Sequence, residues 1–280
     1  MKRINYKQIS NLNPDWIKSQ IDRFIKEDAP NGHVTSDAII SKKSDMHVKM
    51  VAAESFVFCG EQIIPYCFPS NCIIEPLFVE GSQISRGDCL AIINGPANEI
   101  LTYERVLLNL IQRLCGISTE TRRYTNLNLP KKFKVIDTRK ITPGLRKFEK
   151  YAVHIGGGWN HRLDLLSGKL IKDNHIQAAG SIQEAIDQIK LKNKRGLPIE
   201  LEVDNLDQLA EGLKFDLDGY LLDNMEPRLV RKAVNMIRKQ SKDNTIFIEA
   251  SGNINYKNLE EYAKTGVDGV SMSAITAQAP

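Results

Sequence analysis

The chain has 280 residues, of which 42% are apolar and 26% are charged, as is typical of a soluble protein with one large domain or two ordinary ones. Its 38 basic and 34 acidic residues leave a net charge of +4, and no basic tract is interleaved with aromatic residues, so we expect no nucleic-acid partner. No apolar run is long enough to span a membrane, and the polar first residues do not resemble a signal peptide. We therefore expect a cytoplasmic protein without a membrane partner.

The cysteines do not form a metal-binding motif. None belongs to a CxxC pair, and no histidine lies at metal-ligand spacing from them. Buried free thiols in a reducing compartment are the expected state, and no zinc site is predicted. The five cysteines are Cys59, Cys67, Cys72, Cys89 and Cys115.

The first 115 residues mix helical segments with short strand-like segments. The apolar spacing of DWIKSQIDRFIKE predicts a helix at 15–27, and the apolar stripe of EILTYERVLLNLIQRL predicts a second helix at 99–114. Arg105 lies off that stripe, a position where arginine is usually only solvated. Runs punctuated by Gly, Pro, Asn and Ser predict strands at 48–53, 55–59, 72–78 and 89–93.

From about residue 116 the pattern changes to repeated units of strand, loop and helix. This alternation predicts parallel strands with helical crossovers, closed as a barrel or open as a wound sheet, and the position of the polar residues favours the barrel. Ser181 and Glu184 form a capping box. Strands are predicted at 133–137, 169–172, 199–203, 220–223, 246–250 and 267–272. Helices are predicted at 144–154, 181–194, 205–214, 226–239 and 256–264.

Each predicted strand of this second part ends in polar or charged residues. In a parallel barrel all strand carboxyl ends share one face, and this face carries the active site. A helix cap or a turn explains one polar ending, but it does not explain six in register. The endings are Asp137-Thr138-Arg139-Lys140, Lys172-Asp173-Asn174-His175, Glu200 with Glu202, Asp223-Asn224, Glu249 with Ser251-Gly252, and Ser271 with Ser273.

The endings divide into three groups by their chemistry. The first two, with His161 and Arg162, gather cations that repel each other by roughly 3 kcal/mol per pair at ~5 Å and an effective dielectric of ~20. Such a group implies a small polyanionic substrate. Period-two alternation puts Glu200 and Glu202 on one strand face, and these carboxylates with Asp223 suit Mg²⁺. The hydroxyls and the glycine of the last two endings suit a phosphate.

Three consecutive glycines, Gly156 to Gly158, directly precede Trp159-Asn160-His161-Arg162. They could simply end the preceding helix, but one glycine would be enough for that purpose. Three favour a backbone segment that runs tightly past a ligand. We therefore expect this loop to border the substrate site.

Taken together, these segments resemble the quinolinate phosphoribosyltransferase family, also called nicotinate-nucleotide pyrophosphorylase (carboxylating). The similarity extends almost from end to end, and the long central motif and LIKDNH are its most specific parts. It is visible in GHVTSDAII, YERVLLNLIQRLCGIST, TRRYT, DTRKITPGLRKFEKYAVHIGGGWNHR, LIKDNHI, ELEVDNLDQL, LLDN, EASGNI and GVDGVSMSAIT.

The resemblance implies an enzyme of de novo NAD biosynthesis. Such an enzyme makes nicotinate mononucleotide, CO₂ and pyrophosphate from quinolinate and phosphoribosyl pyrophosphate, with Mg²⁺ as cofactor. The implied fold is an N-terminal α/β sandwich domain plus an incomplete parallel α/β barrel. We place the sandwich at 1–115 and the barrel at 116–273, with 274–280 returning to the first domain. The implied assembly is a homodimer with shared active sites, or a hexamer of dimers.

Residues that the family uses for its substrates have matches in this chain. The basic residues of the quinolinate pocket match Arg139, His161, Arg162 and Lys172, and an arginine from the neighbouring subunit matches Arg105. The phosphoribosyl and metal residues match Lys140, Glu202, Asp223, Ser251 and Gly252. The first three of these are the expected catalytic groups, and the two carboxylates are the expected Mg²⁺ ligands, partly through water or substrate phosphate. The predicted substrate-binding set also includes Thr138, Asn253, Ser271 and Ser273.

Several positions depart from the usual family pattern. Ser273 stands where glycine is common, Asn253 replaces the second glycine of SGG, and Ala277-Gln278 replaces a polar pair that can touch phosphate. His33 stands where aspartate is usual. Most of these changes surround the predicted phosphate site, so they bear on the affinity for phosphoribosyl pyrophosphate and not on the quinolinate pocket.

Three other interpretations of the same residues are open. A related phosphoribosyltransferase could act on a different aromatic acid. A Schiff-base aldolase on the same barrel would use Lys172 as its nucleophile. A non-catalytic interaction protein could retain the fold, although intact Arg139, Lys140, Glu202 and Asp223 argue against this.

Overall fold

A computed structural model describes residues 2–41, 43–241 and 245–280. Its contacts divide the chain into two compact units. The first contains Met1–Gln8, Arg123–Arg146 and Gly158–Gln278, and the second contains Ile9–Arg122, Lys147–Gly157 and Ala279–Pro280. These units assign 1–8, 116–122, 147–157 and 274–278 differently from the predicted domains, 1–115 with 274–280 and 116–273. Those domain bounds stay a prediction.

The second unit combines helices with short antiparallel strands. Its strands and helices are α1 (Pro14–Asp28), α2 (Val34–Ile39), β1 (Asp45–Val51), β2 (Phe56–Val57), β3 (Ile73–Pro76), β4 (Gln83–Ile84), β5 (Cys89–Pro96), most of α3 (Ala97–Thr125) and most of α4 (Arg146–Ile155). The strands β1, β5 and β3 form one sheet in that order, and β2 pairs with β4. Helix α1 begins after Asn13, whose side-chain oxygen accepts the Trp16 N–H at 2.9 Å.

The first unit is built on six parallel strands. They are β6 (Lys134–Ile136), β7 (Lys169–Ile171), β8 (Ile199–Val203), β9 (Gly219–Asp223), β10 (Phe247–Ser251) and β11 (Gly269–Ser271), in the order β6-β11-β10-β9-β8-β7. Among the described residues β6 and β7 do not pair with each other, so the barrel is incomplete. Trp159 forms an isolated parallel bridge with Ile136 beside β6.

Helices follow most of these strands. They are α5 (Asp173–Ala179), α6 (Ile182–Lys192), α7 (Leu206–Gly212), α8 (Pro227–Gln240) and α9 (Leu259–Ala263). Helix α8 shows why they form, because Val230, Ala233, Val234 and Ile237 recur at helical spacing and are all buried. Helix α6 begins after Ser181, whose hydroxyl oxygen accepts the Glu184 N–H at 3.1 Å. This bond confirms half of the predicted capping box.

The structure confirms the predicted α/β fold and the six barrel strands, with ends that differ by a few residues. The prediction that the long helix ends at residue 114 is wrong, because α3 continues to Thr125. Helices α2 and α5 were not predicted, since each has fewer than eight residues and presents no full apolar stripe. None of the described helices combines the length and hydrophobicity that a membrane crossing requires.

Candidate active site

A cavity of about 680 Å³ is lined by residues at the carboxyl ends of the parallel strands. Parallel strands bring their carboxyl ends to one edge, which is why residues distant in sequence meet here. All of the predicted substrate-binding residues except Arg105 line this cavity. They are Thr138, Arg139, Lys140, His161, Arg162, Lys172, Glu202, Asp223, Ser251, Gly252, Asn253, Ser271 and Ser273. Their roles toward a substrate stay predictions.

His161 and Arg162 are buried and firmly held. Asp137 accepts the His161 N–H and the side-chain amide of Asn160, both at 2.8 Å. His161 Nδ1 accepts the Arg162 N–H at 2.8 Å, and the Gly168 carbonyl accepts the Arg162 guanidinium at 3.1 Å. Arg162 is therefore anchored at its backbone and at its head group.

Two fully buried carboxylates face His161 inside the barrel. One oxygen of Glu200 and one of Glu249 each lie 3.5 Å from His161 Nε2. Burial raises the pKa of Glu249 to about 7; His161 opposes this shift and Glu200 adds to it. Burial lowers the pKa of His161, but Glu249, Glu200 and Asp137 outweigh this effect and the net shift is upward.

These three side chains also have the spacing of metal ligands. Their ligand atoms lie within 4.8 Å of one another. However, Nδ1 of His161 accepts a backbone N–H, so the proton of the neutral ring is on Nε2, facing the carboxylates. A metal would need the lone pair at that position. This tautomer therefore favours a cluster of two carboxyl groups packed against His161 over a metal site.

Lys172 and Glu202 form an ion pair across neighbouring strands β7 and β8. The Glu202 side chain is only 11% exposed. Burial raises its pKa, and this effect exceeds the opposing influence of Lys172. The Glu202 carboxylate thus already has one cationic partner in the protein.

Asp223 and the loop after β10 form a second polar group. The Asp223 carboxylate accepts the Ser251 hydroxyl and, at 2.6 Å, the Asn224 amide. Gly252 has a φ of +87°, and an added Cβ would lie 2.1 Å from the Asn224 side chain and 2.8 Å from its backbone nitrogen. Only glycine fits at this position. Asn253 adopts a φ of 54°, a left-handed conformation that asparagine tolerates better than most residues.

Arg139 and Lys140 are exposed at the mouth of the cavity. The backbone around them is fixed, because Thr138 Oγ1 accepts the Lys140 N–H at 2.9 Å and the Lys140 carbonyl accepts the Thr276 hydroxyl at 3.0 Å. In the described part of the chain no carboxylate lies within 4 Å of the cationic groups of Arg139, Lys140 or Arg162. These three cations are available to an anionic ligand.

Arg105 belongs to the other compact unit, where its side chain on α3 is exposed.

The expectation for the three glycines is wrong, since Gly156, Gly157 and Gly158 do not line the cavity. Gly156 is instead required because an added Cβ would lie 2.5 Å from Thr121 of α3. Gly157 has a φ of +90° just after α4.

The predicted substrate-binding set leaves out several residues that line the cavity, although Asp137, Asn224 and Glu249 stand among the polar strand endings. Glu249 is the most informative of them, because it lies two residues before Ser251 and period-two alternation puts both on one strand face. That signal was present among the strand endings. The other lining residues outside that set are Asp137, Leu170, Leu221, Asn224, Ile254, Met272, Ala274 and Gln278.

Comparisons with known proteins bear on the identity of this cavity. The family model described as quinolinate phosphoribosyl transferase, C-terminal domain, matches residues 117–280, and its N-terminal counterpart matches 33–115. The chain belongs to the quinolinate phosphoribosyltransferase family. The cavity lies within the residues matched by the C-terminal model of that family.

Individual members of the family are similar in sequence to this chain over nearly its whole length. A probable nicotinate-nucleotide pyrophosphorylase [carboxylating] of Bacillus subtilis is 37% identical over 268 residues, or 95% of this chain and 91% of the relative. A nicotinate-nucleotide pyrophosphorylase [carboxylating] of Mycobacterium leprae is 34% identical, covering 96% and 95%. The solved nicotinate-nucleotide pyrophosphorylase of Francisella tularensis is 32% identical with a TM-score of 0.88, covering 99% and 97%.

Proposed function

We propose that this protein transfers the phosphoribosyl group of phosphoribosyl pyrophosphate to quinolinate, with loss of CO₂. The products are nicotinate mononucleotide and pyrophosphate, and the reaction is a step of de novo NAD biosynthesis. The observation that carries this proposal is the cavity itself. Arg139, Lys140 and Arg162, which have no carboxylate partner among the described residues, share it with the carboxylates of Glu202 and Asp223.

The cations suit a pyridine that carries two adjacent carboxylates. A guanidinium can bind a carboxylate with two parallel hydrogen bonds, which fixes orientation as well as affinity. Arg162 is fitted for this task, because its backbone and one guanidinium nitrogen are already fixed by His161 and Gly168. Burial lowers the pKa of Arg162, and the nearby Arg139 adds to this shift. A bound dianion would relieve that repulsion.

The acidic residues and the loop after β10 suit the sugar phosphate. Carboxylate oxygens are preferred ligands of Mg²⁺, so Glu202 and Asp223 fit that ion, although Glu202 would share its charge with Lys172. When bound, Mg²⁺ would neutralise the charge of the pyrophosphate leaving group. Lys140, Ser251, Ser271 and Ser273 supply a cation and hydroxyls, and Gly252 allows close backbone approach to a phosphate.

The chemistry needs positioning and charge stabilisation. The ring nitrogen supplies the electron pair for the new bond to the ribose C1′, while the C1′–O bond breaks and its pair leaves with pyrophosphate. Positive charge develops on the sugar as in glycoside cleavage, and the carboxylates of Glu202 and Asp223 can stabilise it. The ribosylated pyridinium then accepts the electron pair released when CO₂ departs, and a proton replaces the carboxyl group on the ring carbon.

The aldolase alternative is disfavoured by the ion pair of Lys172. An ammonium that donates to Glu202 has no free lone pair to attack a carbonyl.

We further propose a homodimer, or a hexamer of dimers, in which Arg105 of one subunit completes the quinolinate pocket of its neighbour. Its exposed position on α3 supports a role outside its own core. Mixing Arg105→Ala with Lys172→Ala tests this idea, because each variant should be inactive alone and a mixed dimer regains one intact site. No recovered activity after verified subunit exchange would contradict the sharing of sites.

One assay tests the proposed function directly. Purified protein with quinolinate, phosphoribosyl pyrophosphate and Mg²⁺ should yield nicotinate mononucleotide and labelled CO₂ from carboxyl-labelled quinolinate, and nicotinic acid should give far less product.

Arg139→Ala or Arg162→Ala should weaken quinolinate binding about tenfold or more in calorimetry, as expected for loss of a charge-assisted contact. Arg231→Ala, an exposed change on α8, is the matched control. Unchanged quinolinate affinity in both cavity variants would refute the pocket assignment.

A further inference from the structure

The amino-terminal segment of the chain reaches the residues that hold Arg162. Tyr6 is buried, and its ring centroid lies 4.7 Å from that of His161 at an interplanar angle of 37°. Tyr6 also packs against Gly168 so closely that an added Cβ on that glycine would lie 2.7 Å from Tyr6 Cε1. A single side chain therefore contacts both residues that accept hydrogen bonds from Arg162.

Those two hydrogen bonds are the anchors of the arginine. The backbone N–H of Arg162 donates to His161 Nδ1 at 2.8 Å, and its guanidinium donates to the Gly168 carbonyl at 3.1 Å. If Tyr6 were absent, the His161 ring and the Gly168 backbone would each lose a packing surface. Both acceptors could then shift, and the guanidinium would shift with them.

We propose that Tyr6 is a positioning residue that fixes His161 and Arg162 and so determines the affinity of the cavity for a pyridine dicarboxylate. This inference rests on the proposed function, because Arg162 matters here as a ligand of the substrate dianion. Tyr6 lies at residue 6, whereas the matched family models begin at residue 33. Its role follows from its contacts in this chain.

The aromatic ring carries the effect. The Tyr6 hydroxyl is buried without a hydrogen-bond partner among the described residues. Burial, followed by the charges of Glu200 and Glu249, raises its pKa, so the phenol stays neutral. The ring packs against the imidazole of His161 and the backbone of Gly168, and it shares its buried cluster with Ile4, Ile136 and Phe247. The ring is thus a rigid spacer between the segment 2–8 and the cavity residues.

Three variants separate positioning from general stability. Tyr6→Leu removes the planar ring but keeps an apolar side chain, so it should fold even where Tyr6→Ala fails to do so. Tyr6→Phe removes only the hydroxyl. Ile4→Ala is the matched control, because Ile4 belongs to the same buried cluster but packs against Gly219 of β9.

We expect Tyr6→Leu to raise the KM for quinolinate about tenfold, with kcat and the KM for phosphoribosyl pyrophosphate within about threefold of wild type. Tyr6→Phe and Ile4→Ala should keep the wild-type KM for quinolinate. An unchanged quinolinate KM in Tyr6→Leu, an equal rise in Ile4→Ala, or a rise in Tyr6→Phe as large as in Tyr6→Leu would each overturn the proposal.

A second measurement does not depend on turnover. Hydrogen–deuterium exchange of a peptide that contains Arg162 should be faster in Tyr6→Leu than in wild type and Ile4→Ala, because the N–H bond to His161 is loosened. Equal exchange in all three proteins would refute the positioning role. If wild-type protein shows no quinolinate turnover, the proposed function fails, whereas the exchange comparison still decides whether Tyr6 holds Arg162.

Discussion

Replacing Glu249 with glutamine should change how the stability of the barrel unit depends on pH. Glu249 is fully buried, and one of its oxygens lies 3.5 Å from His161 Nε2. Burial raises the pKa of its carboxyl from 4.5 to about 7. The substitution Glu249→Gln keeps the shape of the side chain but removes the titrating group. Any difference in pH dependence between the two proteins therefore reports on this cluster.

The sign and size of the effect follow from proton linkage. Because the pKa is higher in the folded state, the folded protein binds more protons than the unfolded chain between pH 4.5 and 7. The stabilising contribution of the carboxyl is complete below pH 4.5 and is lost as the pH rises through about 7. One proton corresponds to about 1.4 kcal/mol per pH unit, so the wild-type free energy of unfolding should fall relative to Glu249→Gln by about 3 kcal/mol over this range.

The raised pKa of His161 acts in the same direction, since its contribution is also lost as the pH rises. Removing the carboxylate of Glu249 removes the group that most strongly raises the pKa of that ring. Both effects make the variant less sensitive to pH than the wild type. The direction of the prediction does not depend on how the proton is divided between the two groups.

Urea denaturation between pH 5 and 8 measures this difference. The chain has two tryptophans, so a Trp16→Phe background leaves Trp159, in the barrel unit, as the fluorescent reporter. Asp187→Asn, an exposed change on α6, is the control for removal of a carboxylate. If Glu249→Gln and wild type lose stability in parallel across this range, within about 0.5 kcal/mol, the inferred protonation of the cluster is wrong.

Other substitutions have equally specific outcomes. Gly252→Ala should raise the KM for phosphoribosyl pyrophosphate at least about tenfold, because the added Cβ would displace Asn224. Gly196→Ala is the control: Gly196 also has a positive φ, but a Cβ there would have no atom within 4 Å, so the same KM should be unchanged. Asn253→Gly should alter the same KM by less than about threefold, since asparagine already adopts the conformation that glycine would; a larger change would assign the Asn253 side chain a role in phosphate binding. Ser181→Ala should lower the free energy of unfolding by about 1 kcal/mol, and an unchanged urea midpoint would contradict its role as the cap of α6.

Sequence reasoning located the barrel and its polar face because both depend on short-range periodicity. The segment IELEV is the clearest example: Leu201 and Val203 alternate with Glu200 and Glu202, and the observed strand β8 has the predicted bounds. Parallel strands then bring all such endings to one edge, so the cavity residues could be predicted as a group. What the pattern could not show was depth along the strand. Glu200 is fully buried beside His161. Glu202, two residues closer to the carboxyl end of β8, lines the cavity and pairs with Lys172.

Contacts between distant parts of the chain were beyond this reasoning. Nothing in the polar first residues indicates that Tyr6 packs against His161, 155 positions later, because no local period links them. The loop sequence favours a ligand beside the three glycines because it does not show that Gly156 packs against helix α3. Local rules identify which groups a strand presents, while burial and partner choice depend on the complete fold.

The pairing of charges in the cavity changes the electrostatic argument drawn from the sequence. Lys172 already has Glu202 as a partner, and His161 faces Glu200 and Glu249, so neither side chain by itself requires an anionic ligand. The requirement is confined to Arg139, Lys140 and Arg162. A ligand with two neighbouring carboxylates beside a sugar phosphate matches this uneven distribution, because its dianionic end meets cations that have no carboxylate partner within the described ranges. Its developing positive charge meets Glu202 and Asp223, and a singly charged acid would leave one of the two arginines without a counter-charge.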